Sequence, residues 1–441
     1  MSETETAVGA GADGEADADV AIAGGGLAGL VAARRLADAG VDVTLFERRD
    51  EVGGRVRSRT VDGYTLDRGF QVLFTAYPAV REELDLAALD LRAFSPGATI
   101  ARPDHRSTLA DPFRDPGSLL ESAFNTDVSV GDKLRTLRLR RALVDEEAET
   151  LFDGPDETIR EYLERWGFSE RFIENFAAPF YGGITLDRSL ATDAGVFRYT
   201  FAMLSRGKTA VPAAGMGAIP EQLAARAREA GATIETGTAV TGVDGGADSG
   251  DEVTVETEDE TVTADAAVVA TDPKGARELT DVESISTEAR RCVTQDFAMD
   301  ERSLDTGRKL ILNAASDRPN TVAPLSAVAP EYAPDDRTLL SATTLGSPDA
   351  SDEELATRTR DALATWYPEH RFDAVDLVAT DRIEFAQFAQ PRGFRDDLPA
   401  VDAPGGPVFL AGDYANWSSI QGAMESGQVA ARAVRDALSA R

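Results

Sequence analysis

Cysteine is all but missing from this chain of 441 residues: Cys292 stands alone, so neither an internal disulfide nor a multi-cysteine metal site can form. It falls in a strand-like stretch and reads as a buried, inert thiol. Histidine is almost as scarce. His105 and His370 are the only two, both read as surface residues, and they leave little room for histidine-based metal or triad chemistry; no metal is expected. Lysine occurs only at positions 133, 208, 274 and 309, so the cations are almost all arginine. No apolar run reaches the roughly 18 residues of a membrane-crossing helix. The first residues are small and acidic, unlike a secretory signal, and the expectation is a cytoplasmic protein. Basic charge is short as well: 45 Lys and Arg against 77 Asp and Glu give a formal net charge of −32. Nucleic acid is thereby excluded as a partner, because phosphate contacts need a basic surface. The acid is spread along the whole chain. Such a surface repels itself in dilute buffer and is screened by salt, which suits a halophilic protein.

Hydrophobic residues make up 42% of the chain, enough for two domains with proper cores. Residues 1–17 read as a disordered acidic tail. "VAIA" from Val20 is a short buried strand, a helix follows to about Ala39, and "VDVTLFE" is a second strand, a βαβ start. From about Pro78 to Arg206 the pattern is mostly helical, clearest in "DETIREYLERWGF". Strand-like segments follow from Gly231 to Thr271, with a turn at 244–251. A mixed segment then runs to Ala400, and strand, loop and helix return at the end. The fold class expected is α/β. Residues 18–77, 207–281 and 401–441 would form a Rossmann-type nucleotide domain, and 78–206 and 282–400 an inserted mixed α/β substrate domain.

Gly24, Gly26 and Gly29 form G-x-G-x-x-G between the first strand and the helix. The first allows the tight turn, the second a close approach of backbone to pyrophosphate, the third close helix–strand packing. Leu27 and Ala28 open the helix, whose N-terminus favours phosphate. Glu47, 21 residues beyond Gly26 at the end of the second strand, is placed for ribose hydroxyls, with Arg48 beside it. Alone, this grip suits either a soluble nicotinamide or a flavin. "GGR" at Gly53, Gly54 and Arg55 tilts the balance, because a second glycine turn and an arginine beside the pyrophosphate suit a larger, extended nucleotide.

With these residues the chain resembles the FAD-binding superfamily of monoamine oxidases, protoporphyrinogen oxidases and phytoene desaturases. "YTLDRGFQV" is similar to the family segment that runs past the flavin and includes Gly69, Phe70 and Gln71. "PFYGGITLDRSLA" and "AAGMGAIPEQLA" resemble stretches of the desaturase and porphyrinogen-oxidase branches. "TAVTGV" matches the strand whose valine, here Val240, meets the adenine. "FLAGD" and "QGAMESG" resemble the closing flavin motif. The resemblance implies that Gly412 and Asp413 approach the ribityl chain, and that Gly422, Ala423 and Met424 begin a helix facing the flavin N1–C2=O edge. It implies FAD, bound non-covalently from both ends of the chain. The activity it implies is removal of a hydride equivalent from an apolar substrate, isoprenoid or tetrapyrrole, with oxygen or a quinone as electron acceptor. Phe70, Gln71, Tyr181 and Trp417 are candidates to line the substrate site, with core packing an equal alternative for Tyr181.

Two departures separate the chain from the amine oxidases that resemble it. Their active-site lysine has no counterpart in "RRCVTQDFAM", where Thr294 or Gln295 would stand. The loop "GDYANWSSIQGA" lacks their paired aromatic cage. An amine oxidase is the alternative reading, and a flavin-free prenyl-protein escort a more distant one. One basic island, Asp132–Val144, interleaves Leu134, Leu137 and Leu139 with Lys133, Arg135, Arg138, Arg140 and Arg141. It reads either as a helix whose arginines pair with acidic neighbours or as a peripheral contact with an anionic membrane.

Overall fold

The computed structural model describes residues 19–110, 127–245, 252–300, 306–372 and 375–441. The acidic tail and most of the turn at 244–251 lie outside the described residues. The first strand, Asp19–Ala23, is the middle of a five-stranded sheet in the order Thr233–Thr236, Asp42–Glu47, Asp19–Ala23, Ala266–Val269, Val408–Leu410. Every pairing in it is parallel. Its central strands are apolar runs because both faces are covered. The edge strand Val408–Leu410 comes from the far end of the chain, so this layer closes only when both termini have arrived.

The helix Leu27–Ala37 packs on this sheet and is buried along most of its length. Small residues make that possible. At Gly29 a β-carbon would lie 2.0 Å from the Gly24 carbonyl oxygen. Across its outer side lies the long C-terminal helix Ile420–Ser439, where a β-carbon at Gly427 would come within 2.3 Å of the Ala28 carbonyl oxygen. One carboxylate locks the two helices together. Glu83 is fully buried and accepts hydrogen bonds from Arg34 (2.6 and 3.1 Å), Arg35 (2.8 Å) and Gln428 (2.7 Å).

A second, seven-stranded sheet runs in the order Asp376–Phe388, Ala289–Met299, Thr338–Leu345, Thr321–Ala323, Leu310–Asn313, Gly97–Arg102, His105–Ala110. One face, with Phe297, Ile311, Val322 and Leu340, packs against Leu363 and Trp366 of the helix Asp352–Trp366. The other face turns toward the main core. The stretch 78–206 is less helical than its pattern suggests, because Gly97–Ala110 forms an antiparallel hairpin on this sheet. Its turn places Asp104 in the left-handed region (φ 57°), where aspartate is tolerated and glycine is not required. His105 belongs to this hairpin. Rather than lying free on the surface, its Nε2 sits 2.8 Å from the fully buried Asp127, which also pairs with Arg102.

Exchanging Glu83 for Gln removes the charge that Arg34 and Arg35 share while keeping the shape. Breaking a buried ionic cluster from one side costs on the order of 3 kcal/mol. The Glu83→Gln variant is therefore expected to unfold at a distinctly lower urea concentration with an unchanged denaturant slope. An unchanged midpoint would show that the two helices hold without it.

Candidate active site

The glycine turn is built as three separate constraints. Gly24 has φ 111°, and a β-carbon there would sit 2.6 Å from the Ala270 carbonyl oxygen. Gly29 packs as described above. At Gly26 nothing lies within 4 Å of the missing β-carbon: that side is open space, and it faces a large cavity. Leu27 and Ala28, the first helical residues, lie on the same wall, and the first turn carries no acidic side chain to compete with an anion. Gly53 and Gly54 have φ 118° and 61° and form a second turn against the first, joined by the Gly53 N–H to Gly25 carbonyl bond of 2.7 Å.

Glu47 is almost fully buried at the end of its strand. Its Oε2 accepts from the Gly25 N–H at 2.8 Å and its Oε1 from the Arg49 N–H at 3.0 Å. Each carboxylate oxygen can accept a further bond, and Glu47 is on the cavity wall. Arg48 is exposed and pairs with Asp272 at 3.3 Å on the same wall. Val240 lies at this end too.

Arg55 does not stand free for a pyrophosphate. Its Nη2 meets Asp413 Oδ1 at 2.5 Å and its Nη1 donates to the Ala386 carbonyl at 3.1 Å. Burial works against its charge, but the adjoining Asp413 carboxylate more than offsets this and holds the guanidinium above its ordinary pKa. Asp413 is 3% exposed, and its other oxygen accepts from the Ser418 hydroxyl at 2.7 Å. The pair therefore joins the N-terminal glycine region to the C-terminal motif. Gly412 precedes it, with its N–H donated to Ser426 Oγ at 2.9 Å. Gly69 (φ 85°) lets the chain pass Ile383, whose Cδ1 would be 2.6 Å from a β-carbon, and Phe70 and Gln71 follow on the wall.

The C-terminal helix begins earlier than its sequence motif implies. Ser419 is the N-cap and Ile420 the first helical residue. The Gly422 N–H is bonded to Ser419 Oγ at 2.8 Å and the Ala423 N–H to the Ser419 carbonyl at 3.0 Å. Gly422, Ala423 and Met424 thus do not offer their N–H groups. Those of Ile420 and Gln421 are the ones that helix geometry leaves without intrahelical acceptors. Met424 is fully buried, and Gly422 is needed because a β-carbon would lie 2.0 Å from the Trp417 carbonyl oxygen. Ser418, Ser419, Ile420 and Ala423 line the cavity. Ser418 and Ser419 escaped the motif reading, although serine before an apolar helical run is an N-cap signal.

The cavity has a volume of about 1150 Å³ and runs from the glycine turn, past Asp413, to a compartment walled by aromatic rings. Tyr181 is buried on this wall against Phe180 and Phe197, so it both packs and lines, and burial pushes its phenol far above the usual range. Trp417 reaches the wall but is 2% exposed, enclosed by Tyr77, Phe152 and Tyr199. Cys292 also lies on the wall, and burial raises its thiol to about 11, so it stays protonated near neutrality. Gln295 points to the opposite face of its sheet, where Nε2 bonds the Asp352 carbonyl at 2.8 Å, and Thr294 is fully buried behind the wall. An elongated cavity with a bare backbone at Gly26 and a buried acid at the ribose end fits an extended dinucleotide.

The model of the family described as flavin containing amine oxidoreductase matches residues 27–435. The chain belongs to this family. It is accordingly a flavin-dependent oxidoreductase, and its cofactor is FAD. It is similar to the zeta-carotene desaturase of Synechocystis sp., 33% identical over 170 residues, or 35% of this chain and 32% of that one. It is also similar to the phytoene dehydrogenase of Streptomyces griseus, 30% identical over 280 residues, 57% and 54% of the two chains. The matches thus span about a third to a half of these relatives. Among solved structures, an oxidoreductase from Methanosarcina mazei superposes with a TM-score of 0.73 at 18% identity, over 93% of this chain and 99% of the other. Cyclohexylamine oxidase from Brevibacterium oxydans gives 0.68 at 18%, over 96% and 100%. These last two establish the shared fold.

Replacing Glu47 by Ala removes a charged acceptor worth roughly 1.5–3 kcal/mol. FAD affinity of the apoprotein, followed by quenching of flavin fluorescence, is expected to fall by about one to two powers of ten. Unchanged affinity would mean that Glu47 only braces the Gly25 turn.

Proposed function

We propose that this enzyme desaturates a long, apolar, isoprenoid-like substrate. The observation that carries the reading is a row of rings on the cavity wall. Phe168, Phe172, Phe176 and Phe180 recur every four residues, with successive centroids 4.5, 5.3 and 5.3 Å apart. Followed through its ring centroids, the row is about 15 Å long. A linear polyene can lie along it, whereas a compact tetrapyrrole would use only part. Rings of this kind exclude water and fix the chain of the substrate against the reacting face without charge.

An amine substrate is disfavoured by the same wall. Tyr414 is fully buried and its hydroxyl donates inward, toward the Val269 and Ala411 carbonyls, while Trp417 is packed among other rings, so the two do not frame an amine. The strand Ala289–Met299 carries no lysine. FAD supplies acceptance of a hydride equivalent when bound. The chain's own part is to hold Asp413 and Arg55 in place, to aim the Ile420 helix N-terminus at the negative charge that reduction brings, and to keep the substrate dry. Oxygen or a quinone would then take the electrons.

The helix Val130–Leu143 supports a peripheral membrane contact. Val130, Leu134 and Leu137 are exposed at i, i+4 and i+7, while Lys133, Thr136, Leu137 and Arg140 reach the cavity wall. A lipid-soluble substrate could enter beside this face. Leu139, grouped with the exposed leucines on sequence alone, is buried in the core instead.

Two outcomes are expected. Anaerobic addition of phytoene or zeta-carotene in liposomes should bleach the flavin absorbance, whereas a panel of primary amines should neither bleach it nor yield hydrogen peroxide in air. Bleaching by an amine would replace this reading with the oxidase one. In co-sedimentation with anionic liposomes, Leu134→Ser together with Leu137→Ser should release the protein at high salt, where the Debye length of about 3 Å at 1 M leaves attachment to apolar burial. Failure of the unaltered protein to sediment at any salt would make the helix an ordinary solvated one.

A further inference from the structure

The face of the seven-stranded sheet that turns toward the cavity is polar where a sheet face this deeply buried is ordinarily apolar. On the strand Ala289–Met299 it carries Cys292, Thr294 and Asp296; on Thr338–Leu345, Ser341 and Thr343; on Thr321–Ala323, Thr321. Register makes these neighbours: Thr321 pairs with Thr343, Thr343 with Thr294, and Ser341 with Asp296. Thr321 and Thr343 are on the cavity wall, and all five hydroxyl and carboxyl residues are at most 5% exposed. Thr343 Oγ1, Thr294 Oγ1 and Asp296 Oδ2 are buried with no hydrogen-bond partner among the described residues. Unpaired buried polar atoms are costly and few, and three in one column point to ordered water running between them.

From this geometry we propose that Thr343 and Thr294, with bridging water, form a proton relay from the cavity to Asp296, which takes up the proton that substrate oxidation releases. The proposal deepens the desaturase reading and rests on it. Converting a C–C single bond to a double bond removes two hydrogens. One leaves carbon with both electrons of its bond and goes to the flavin. The other leaves as a proton while its bonding pair becomes the new π bond. Each hydroxyl or water in the column accepts one proton and passes on its own, and the Asp296 carboxylate ends as the neutral acid. Release to solvent lies past Asp381, on the neighbouring strand beside Thr294, whose carboxylate is held by Arg59 at 2.9 and 3.0 Å near the surface.

The groups facing Asp296 from the surrounding elements are Ser341, Asp381, Asp67 and Arg59. Asp67 is itself engaged by Ser58, Tyr332 and the Met216 N–H. Burial, aided by the Asp381 and Asp67 charges and opposed by Ser341 and Arg59, raises the Asp296 carboxyl to about 7. Below that pH it is already protonated and cannot accept; above it the carboxylate is present. Because the folded form binds this proton more tightly than the unfolded one, the group's contribution to stability declines as pH rises from its ordinary range through about 7.

The test uses the FAD-loaded protein and needs no substrate. The holoenzyme is reduced by a light pulse with a deazaflavin donor, and proton uptake is followed with a pH indicator between pH 5 and 9. Negative charge added at the cavity raises the proton affinity of a carboxylate that is partly ionised near pH 7, so the unaltered protein is expected to show an uptake component centred near pH 7 that Asp296→Asn lacks. Thr343→Val should take up as much, at least tenfold more slowly. Asp296→Asn is also expected to melt higher than the unaltered protein at pH 8 and no higher at pH 5. Unchanged uptake in Asp296→Asn overturns the proposal, and an unchanged rate in Thr343→Val overturns the route through the threonines. If Asp296→Asn does not fold, the Thr343→Val rate decides. Should no polyene bleach the flavin while uptake still depends on Asp296, the substrate reading fails and the relay stands.

Discussion

The close approach of two helices from opposite ends of the chain is the constraint on which the rest depends. Leu27–Ala37 and Ile420–Ser439 meet backbone to backbone at Ala28 and Gly427, an approach that a β-carbon would prevent. That contact sets the glycine turn and the Ile420 N-terminus on one cavity. Glu83 fixes the lateral position of the helices, and Arg55 with Asp413 repeats the connection at the cavity floor. A site assembled this way cannot form from either half.

Charge is handled differently inside and outside. Over the surface, arginines meet the excess acid in open pairs such as Arg160 with Glu170 and Arg59 with Asp381, which are individually worth little in water and depend on salt. Near the cavity the pairs are few and enclosed. Arg55 and Asp413 each keep a second partner, so neither is left bare in a low dielectric. The great acidity of the chain therefore concerns solubility, while Arg55 and Asp413 at the site each keep two partners.

The nucleotide turn was legible because each of its residues has one physical job, and glycine is the residue that does it: a positive φ at Gly24, bare backbone at Gly26, close packing at Gly29. The acid at Glu47 followed from strand length. Legibility failed where a residue's partner is distant in sequence. Nothing local says that Arg55 belongs to Asp413, 358 residues away, rather than to a phosphate. The C-terminal helix starts ahead of the motif glycine because Ser419 is the better N-cap. The hairpin at Gly97–Ala110 was hidden by the helical signals around it. Leu139 was set with Leu134 and Leu137 by spacing in the sequence, yet 100° per residue turns it from their face into the core.

The division of labour between the two walls follows from the chemistry. Removing a hydride from carbon is helped by a dry, apolar enclosure, and the phenylalanine row provides one on the helical side. The same dryness leaves the accompanying proton nowhere to go, because neither the rings nor the protonated thiol of Cys292 can accept it. On the desaturase reading proposed above, polarity is needed at the edge of the cavity and behind it, away from the row of rings. The sheet side meets both demands, since the alternation of a strand puts one set of side chains toward the cavity and the other into an apolar layer. Thr294 and Asp296 face inward while Val293, Gln295 and Phe297 face away, so a polar column can stand behind the wall without interrupting the packing that holds the sheet. A helix in that place would have spread the same residues around its axis.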